Sequence, residues 1–251
     1  MSVKLLLTND DGYYSEGLQT LKSYLKELGE VWVVAPYKER STTSHSMTLN
    51  RAVELRKVEE REYISDGTPV DCVYLALNVV LKGRPPSMVI SGINRGANLG
   101  TDIYYSGTVA AAREAALKGI PSVAISLVEG RDFKRAAYYS KQIIEELLKL
   151  KIPRGVFFNI NIPGGRDIKG IRITKPGVRH YPQVASLVKK EDSKEYYILG
   201  GGLPVEDGDK EDTDGYWTNR FWITITPLSI DISIYKEMIP GLDRLTTMVE
   251  L

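Results

Sequence analysis

Val3-Lys4-Leu5-Leu6-Leu7-Thr8-Asn9-Asp10-Asp11-Gly12 is an apolar run that ends in two adjacent carboxylates and a turn glycine. The run fits a buried strand, and the Asp-Asp-Gly break marks its carboxyl end. Ligands collect outside those ends in open parallel sheets, whose first strand usually lies near the middle. Two carboxylates side by side repel each other unless a cation or a shared proton offsets the charge. A hard, oxygen-preferring ion such as Mg²⁺ or Mn²⁺ meets that demand. Taken alone, Asn-Asp-Asp-Gly equally fits a helix cap and a solvated turn.

Outward from this stretch, Leu18, Leu21, Tyr24, Leu25 and Leu28 predict a helix over 16–29, and Val31-Trp32-Val33-Val34-Ala35 a second buried strand. That is a β-α-β unit. Residues 36–50 form a hydroxyl-rich loop on the same side of the sheet as Asp10, and 52–58 with 62–65 read as a short hairpin or flap. Thr68-Pro69-Val70-Asp71 opens a helix that runs to about residue 82. A strand over 87–91 leads into a loop spaced by Gly92, Gly96 and Gly100. A helix over 109–118, a strand over 122–126, a long helix over 133–150 and a strand over 156–162 follow.

This order predicts a three-layer, Rossmann-like, doubly wound α/β domain with a mostly parallel sheet, spanning 1–163. Residues 164–220 carry glycines, charges and tyrosines in short alternating runs and read as a β-rich excursion. Over 221–251 a returning strand and a closing helix (235–251) are expected. The acidic stretch 206–214 reads as a solvated loop.

With 33 Lys and Arg against 32 Asp and Glu, the formal net charge is +1, and no bulk field points to nucleic acid or an acidic membrane surface. Cys72 is the only cysteine, which excludes an internal disulfide and a multi-cysteine metal site. No signal peptide or membrane span is read, so a cytoplasmic protein is expected. With only His45 and His180, a His-rich metal cluster is unavailable.

Ser106-Gly107-Thr108 at a helix start is the second informative feature, because free N–H groups and the helix dipole make an anion site there. A plain N-cap is the ordinary alternative. Asn94 and Asn98 can join a hard-metal shell or hold a phosphoryl oxygen without adding charge, or can simply stabilise turns. Three loops at three strand ends therefore converge on phosphate-ester chemistry with one metal. No Walker-type phosphate loop and no dinucleotide-binding glycine pattern after the first strand occur.

The chain resembles the family of the stationary-phase survival protein SurE, metal-dependent nucleotidases. The resemblance rests on Thr8-Asn9-Asp10-Asp11-Gly12, Ala35-Pro36 with Arg40-Ser41, Gly67-Thr68-Pro69-Val70-Asp71-Cys72-Val73, Ser91-Gly92-Ile93-Asn94 with Gly96 and Asn98, and Tyr105-Ser106-Gly107-Thr108-Val109. Weaker echoes run through 159–163 and 224–228. It implies one divalent metal per subunit, Mg²⁺ or Mn²⁺, on Asp10, Asp11, Ser41 and Asn94, and a phosphate pocket from Asn98, Ser106, Gly107 and Thr108. It further implies hydrolysis of nucleoside 5′- and 3′-monophosphates, trimming of short polyphosphate by some members, and a homodimer or homotetramer built partly by exchange of C-terminal segments.

Asp10 and Asp11 are accordingly expected to be essential for turnover by a metal-activated water. His45, in the loop after Ser41, is a candidate general acid or a residue with an ordinary surface or structural role. Tyr13-Tyr14-Ser15-Glu16 and Thr42-Thr43-Ser44-His45-Ser46 depart from the family's usual runs and bear on base and sugar preference. A nucleotide-binding regulatory module without hydrolysis is the competing reading. A receiver-like domain phosphorylated on Asp10 or Asp11 is a more distant one.

Overall fold

The computed structural model describes residues 3–165, 167–182, 185–200, 204–206 and 210–233. The strands are β1 (Lys4–Thr8), β2 (Glu30–Pro36), β3 (Leu55–Glu59), β4 (Glu62–Ser65), β5 (Met88–Arg95), β6 (Ser122–Leu127), β7 (Val156–Ile162), β8 (Ile171–Ile173), β9 (Arg179–His180), β10 (Ala185–Glu191), β11 (Lys194–Leu199), β12 (Val205–Glu206) and β13 (Ile223–Ser229). The α-helices are α1 (Glu16–Leu25), α2 (Pro69–Leu75), α3 (Gly107–Leu117), α4 (Phe133–Leu147) and α5 (Asp214–Thr218).

Nine strands form one sheet in the order β3-β4-β2-β1-β5-β6-β7-β13-β8. From β4 to β7 every neighbouring pair is parallel. The chain winds outward from β1 to β4 and then returns to β5 on the other side of β1. The crevice between the carboxyl ends of β1 and β5 is therefore the topological switch point, where this architecture binds ligands.

Strand alternation builds the three layers. Leu5, Leu7, Val33 and Ile90 join the core under α1 and α4, whereas Leu6, Val34 and Val89 join Cys72, Val73 and Ala115 under α2 and α3. Cys72 is a small buried helix residue, as its position predicts.

Several local expectations change under packing. The predicted flap is part of the sheet edge, because β4 pairs parallel with β2 while β3 pairs antiparallel with β4. The helix opened by Thr68 ends at Leu75 and widens into a π turn over Ala76–Val80. β5 extends to Arg95 instead of stopping at Ser91, with a register shift between Ser91 and Asn94. Gly92 lies within it at φ +139°, and an added Cβ would come 2.4 Å from the Ile125 carbonyl oxygen. Residues beyond 163 add β13, antiparallel to β7, and β8 to the main sheet, while β10 and β11 form a separate exposed hairpin. The closing helix expected over 235–251 lies outside the described residues.

Candidate metal and phosphate site

Asn9 closes the turn after β1, its side-chain amide donating to the Gly12 carbonyl (3.0 Å) and to Ser15 Oγ (2.8 Å). This turn sends Asp10 into the interior, where it is only 5% exposed. The first turn of α3 receives its carboxylate: the Thr108 N–H donates to Oδ2 (3.1 Å) and the Thr108 hydroxyl to Oδ1. Ser106 Oγ accepts from the Val109 N–H (3.1 Å) and caps the helix. A Cβ on residue 107 would lie 3.0 Å from Asp10 Oδ2 and 3.1 Å from Thr43 Oγ1 and would push those side chains back by a few tenths of an ångström. The positive end of the helix dipole thus acts on Asp10, and Thr108, expected to hold a phosphate, gives its amide and hydroxyl to that carboxylate.

Asp11 lies beside Asp10 and accepts at Oδ2 from the Arg95 N–H (3.2 Å), which ties it to the end of β5, next to Asn94. The Asn94 amide donates to the Gly96 carbonyl (2.9 Å), which turns its Oδ1 to the opposite side. The Arg40 N–H donates to the Asp10 carbonyl (2.7 Å) and fastens the loop that carries Ser41. The exposed Ser41 hydroxyl donates to Glu39 Oε1 (2.5 Å). The structure therefore brings the loops of all four expected metal ligands to the switch point.

The electrostatics ask for a cation. Burial pushes the Asp10 carboxyl above its ordinary range against the hydrogen bonds from Thr108. Burial, and then the charge of Asp10, push Asp11 up to about 6. Among the described residues neither carboxylate has an ion-pair partner, and no group of three or more His, Cys, Asp or Glu side chains is placed to hold a metal. Two carboxylates with neutral oxygen donors suit a hard ion that keeps several waters.

A pH prediction follows. The folded pKa of Asp11 is raised above the unfolded value, so its contribution favours folding below about pH 4 and is lost as pH rises through about 6. Metal-free protein is expected to lose stability between about pH 4 and about pH 6, and a saturating divalent cation to remove most of that slope. Denaturant midpoints at both pH values, with and without metal, check it; a metal-free midpoint that rises over this range would refute it.

Asn98 is placed deeper than a loop residue. Its side-chain amide donates to Ser126 Oγ (2.8 Å), its N–H donates to Asn161 Oδ1 (3.0 Å), and its carbonyl accepts from the side chains of Asn159 (2.7 Å) and Asn161 (3.0 Å). This buried amide network at the ends of β6 and β7 organises the loop before α3 and was missed from sequence. Its signal was present in the alternation of Asn159 and Asn161 within an otherwise apolar strand. Among the described residues Thr8 Oγ1, Asn9 Oδ1 and Ser91 Oγ are buried oxygens without a hydrogen-bond partner, and Thr8 and Ser91 are register neighbours at the switch point.

His45 is engaged by Glu114. Its Nε2 lies 3.1 Å from Glu114 Oε2, six residues beyond Thr108 on α3 and so roughly 9 Å along the helix axis. Burial pushes Glu114 up, but hydrogen bonds from His45 and Lys118 outweigh it and hold the carboxyl below its ordinary range. The two tyrosines after Gly12 separate: Tyr13 is buried with its hydroxyl on Glu62 (2.5 Å), and Tyr14 stands 74% exposed.

Residues 5–183 match the family profile described as Survival protein SurE. The chain is 42% identical over 243 residues to a protein named 5′-nucleotidase SurE from Myxococcus xanthus, covering 94% of this chain and 90% of the relative. It is 45% identical over 242 residues to the 5′-nucleotidase SurE of Caldanaerobacter subterraneus subsp. tengcongensis, covering 93% and 94%. The crystal structure of a SurE protein from Aquifex aeolicus superposes with a TM-score of 0.85 at 37% identity, covering 97% of this chain and 99% of the other.

Proposed function

The chain belongs to the SurE family, and from that membership together with the Asp10–Asp11 geometry we propose that it is a metal-dependent phosphatase hydrolysing nucleoside 5′-monophosphates to nucleoside and phosphate. The observation that carries the chemistry is the Asp10 carboxylate seated on the N-terminus of α3 with Asp11 beside it. Asp10, Asp11, Ser41 and Asn94 would hold one Mg²⁺ or Mn²⁺ per subunit. When bound, the cation supplies Lewis acidity toward a phosphoryl oxygen and a water of lowered pKa.

The protein's own residues do the rest. Thr108 fixes the Asp10 carboxylate in one orientation and offsets part of its charge. Gly107 and Ser106 present the start of α3, with its positive dipole end, toward a substrate phosphate. Asn98 has a second side-chain N–H beyond the one given to Ser126, and this donor can hold a phosphoryl oxygen. Nucleoside 3′-monophosphates and short polyphosphate are further substrates under the same reading, because the chemistry acts on the phosphoryl group. His45, engaged by Glu114 through Nε2, steadies its loop in this reading.

The hairpin β10–β11 exposes Leu187, Val188, Ile198 and Leu199 on a two-stranded ribbon, which supports use of the 164–220 segment in a homodimer or homotetramer. Among the described residues no helix is long and apolar enough to cross a membrane, and the single Cys72 suits a reducing cytoplasm.

The test is phosphate release from a panel of nucleoside 5′- and 3′-monophosphates by chelator-stripped protein, with and without Mg²⁺ or Mn²⁺. Turnover restored by metal and greatest on 5′-monophosphates is expected. Nucleotide binding without phosphate release at saturating metal would replace this reading with a regulatory binding module.

A further inference from the structure

We propose that Asp102 is a positioning residue for the N-terminus of α3 and that Arg179 and Tyr181, from the C-terminal excursion, hold it in place. The proposal rests on the reading of that terminus as part of the phosphatase site. Gly100–Tyr104 is a 3₁₀ turn that delivers the chain from Asn98 to α3. The Asp102 carbonyl accepts from the N–H groups of Tyr105 (3.0 Å) and Ser106 (3.1 Å), so its main chain orients the residue that caps α3. The same turn holds the loop carrying Ser41, because the Ser44 N–H donates to the Tyr105 carbonyl (3.1 Å) and the Ser44 hydroxyl to the Tyr104 carbonyl (2.7 Å).

The side chain of Asp102 also closes its own turn, Oδ2 accepting from the Leu99 N–H (3.4 Å). Its Oδ2 pairs with Nη1 of Arg179, and its Oδ1 accepts from the Tyr181 hydroxyl at 2.7 Å. Main-chain contacts reinforce the grip: the Thr101 hydroxyl donates to the Arg179 carbonyl (2.5 Å), and the Arg179 N–H donates to Thr101 Oγ1 (3.2 Å). The fully buried Asp214 joins both segments, accepting from the N–H groups of Gly100, Gly177 and Gly215, each at 2.9 Å. Residues 177–181 and 99–106 therefore form one hydrogen-bonded body.

A largely buried ion pair is a poor source of stability, since apolar residues of the same shape often serve as well. Its distinctive property is directional geometry. Here that geometry ends on Ser106, two residues before the Thr108 donors that fix Asp10. A displacement of the turn is thus transmitted to the Asp10 cradle, and the excursion that carries β10 and β11 is mechanically tied to it.

The test compares full-length Arg179→Gln, Arg179→Lys and Tyr181→Phe with the parent protein. The readouts are kcat and KM on its best nucleoside monophosphate at saturating metal, and amide hydrogen exchange. Arg179→Gln is expected to lower kcat about tenfold to a hundredfold with KM changed less than about threefold. It should also speed exchange at residues 99–108 while β1, β5 and β6 keep parental protection. Arg179→Lys should recover part of the rate. Tyr181→Phe removes one hydroxyl from a half-exposed ring and cannot unfold the chain, so it decides the matter if Arg179→Gln does not fold; a fall in kcat of about threefold with faster exchange at 99–108 is expected. Parental kcat and parental exchange at 99–108 in the folded variants overturn the proposal, as does exchange that rises uniformly across the sheet. If the parent releases no phosphate from any nucleotide, the nucleotidase reading fails, and the exchange comparison alone still decides whether Arg179 and Tyr181 position α3.

Discussion

Asp11→Asn is expected to lower phosphate release at least about a thousandfold while making the metal-free protein more stable at about pH 8. Both effects come from one carboxylate. Among the described residues the Asp11 carboxylate has one hydrogen bond, from the Arg95 N–H, which an Asn oxygen can still accept. The substitution therefore removes charge from the proposed cation site without removing a structural bond. In the absence of a cation that charge is a burden, since burial and the neighbouring Asp10 push the carboxyl up to about 6. Relieving it is worth on the order of 2 kcal/mol once screening at the partly exposed oxygens is allowed for. Asp10→Asn should be equally inactive and gain stability for the same reason, since its amide oxygen can accept from the Thr108 N–H while its NH₂ donates to Thr108 Oγ1. Rates on a nucleoside 5′-monophosphate with saturating Mn²⁺, beside urea midpoints without metal, test both variants. An Asp11→Asn protein within tenfold of the parental rate would sink the site assignment.

Gly17→Ala is expected to destabilise the fold by about 3 kcal/mol, although helix propensity alone makes alanine about 1 kcal/mol better than glycine there. Gly17 lies in the first turn of α1, pressed on β5. A Cβ would come 2.1 Å from the Ile93 carbonyl oxygen and 3.0 Å from Phe133 Cε1. Backbone cannot yield as a flexible side chain does, so α1 must lift off the sheet. Because α1 follows directly from the Asp10–Asp11 turn, and Ser15 at its start is bonded to Asn9, the lift also disturbs the site. Thermal melts of Gly17→Ala beside an exposed control such as Ser23→Ala should differ by roughly 6–12 °C. An unchanged or raised melting temperature would show that the α1 and β5 backbones are farther apart than this structure has them.

Most strands and the helices of the central domain were legible from the sequence because their signals are local. Leu5 to Leu7 read as buried whichever face each occupies, and Leu18, Leu21 and Leu25 repeat at helical spacing. Thr68 with Asp71 forms the expected capping box, since both partners lie within one turn. What failed locally was overridden by distant contacts. β5 runs on through Gly92 because its neighbour β6 continues beside it to Leu127, and β4 leaves a simple hairpin because β2 offers a parallel edge.

The site divides in the same way. Adjacent carboxylates after a buried strand, and a hydroxyl-glycine-hydroxyl start to a helix, were visible in the chain by themselves, as was the membership that the full set of motifs implies. That Asp10 rests on Thr108, 98 residues away, was decided by tertiary structure alone, as were the engagement of His45 by Glu114 and the grip of Arg179 on Asp102, 77 residues apart. Short-range signals reflect steric and hydrogen-bonding choices among covalent neighbours, which the order of residues states directly. Contacts across the sheet depend on winding order and strand register, which only the packing of the whole chain settles.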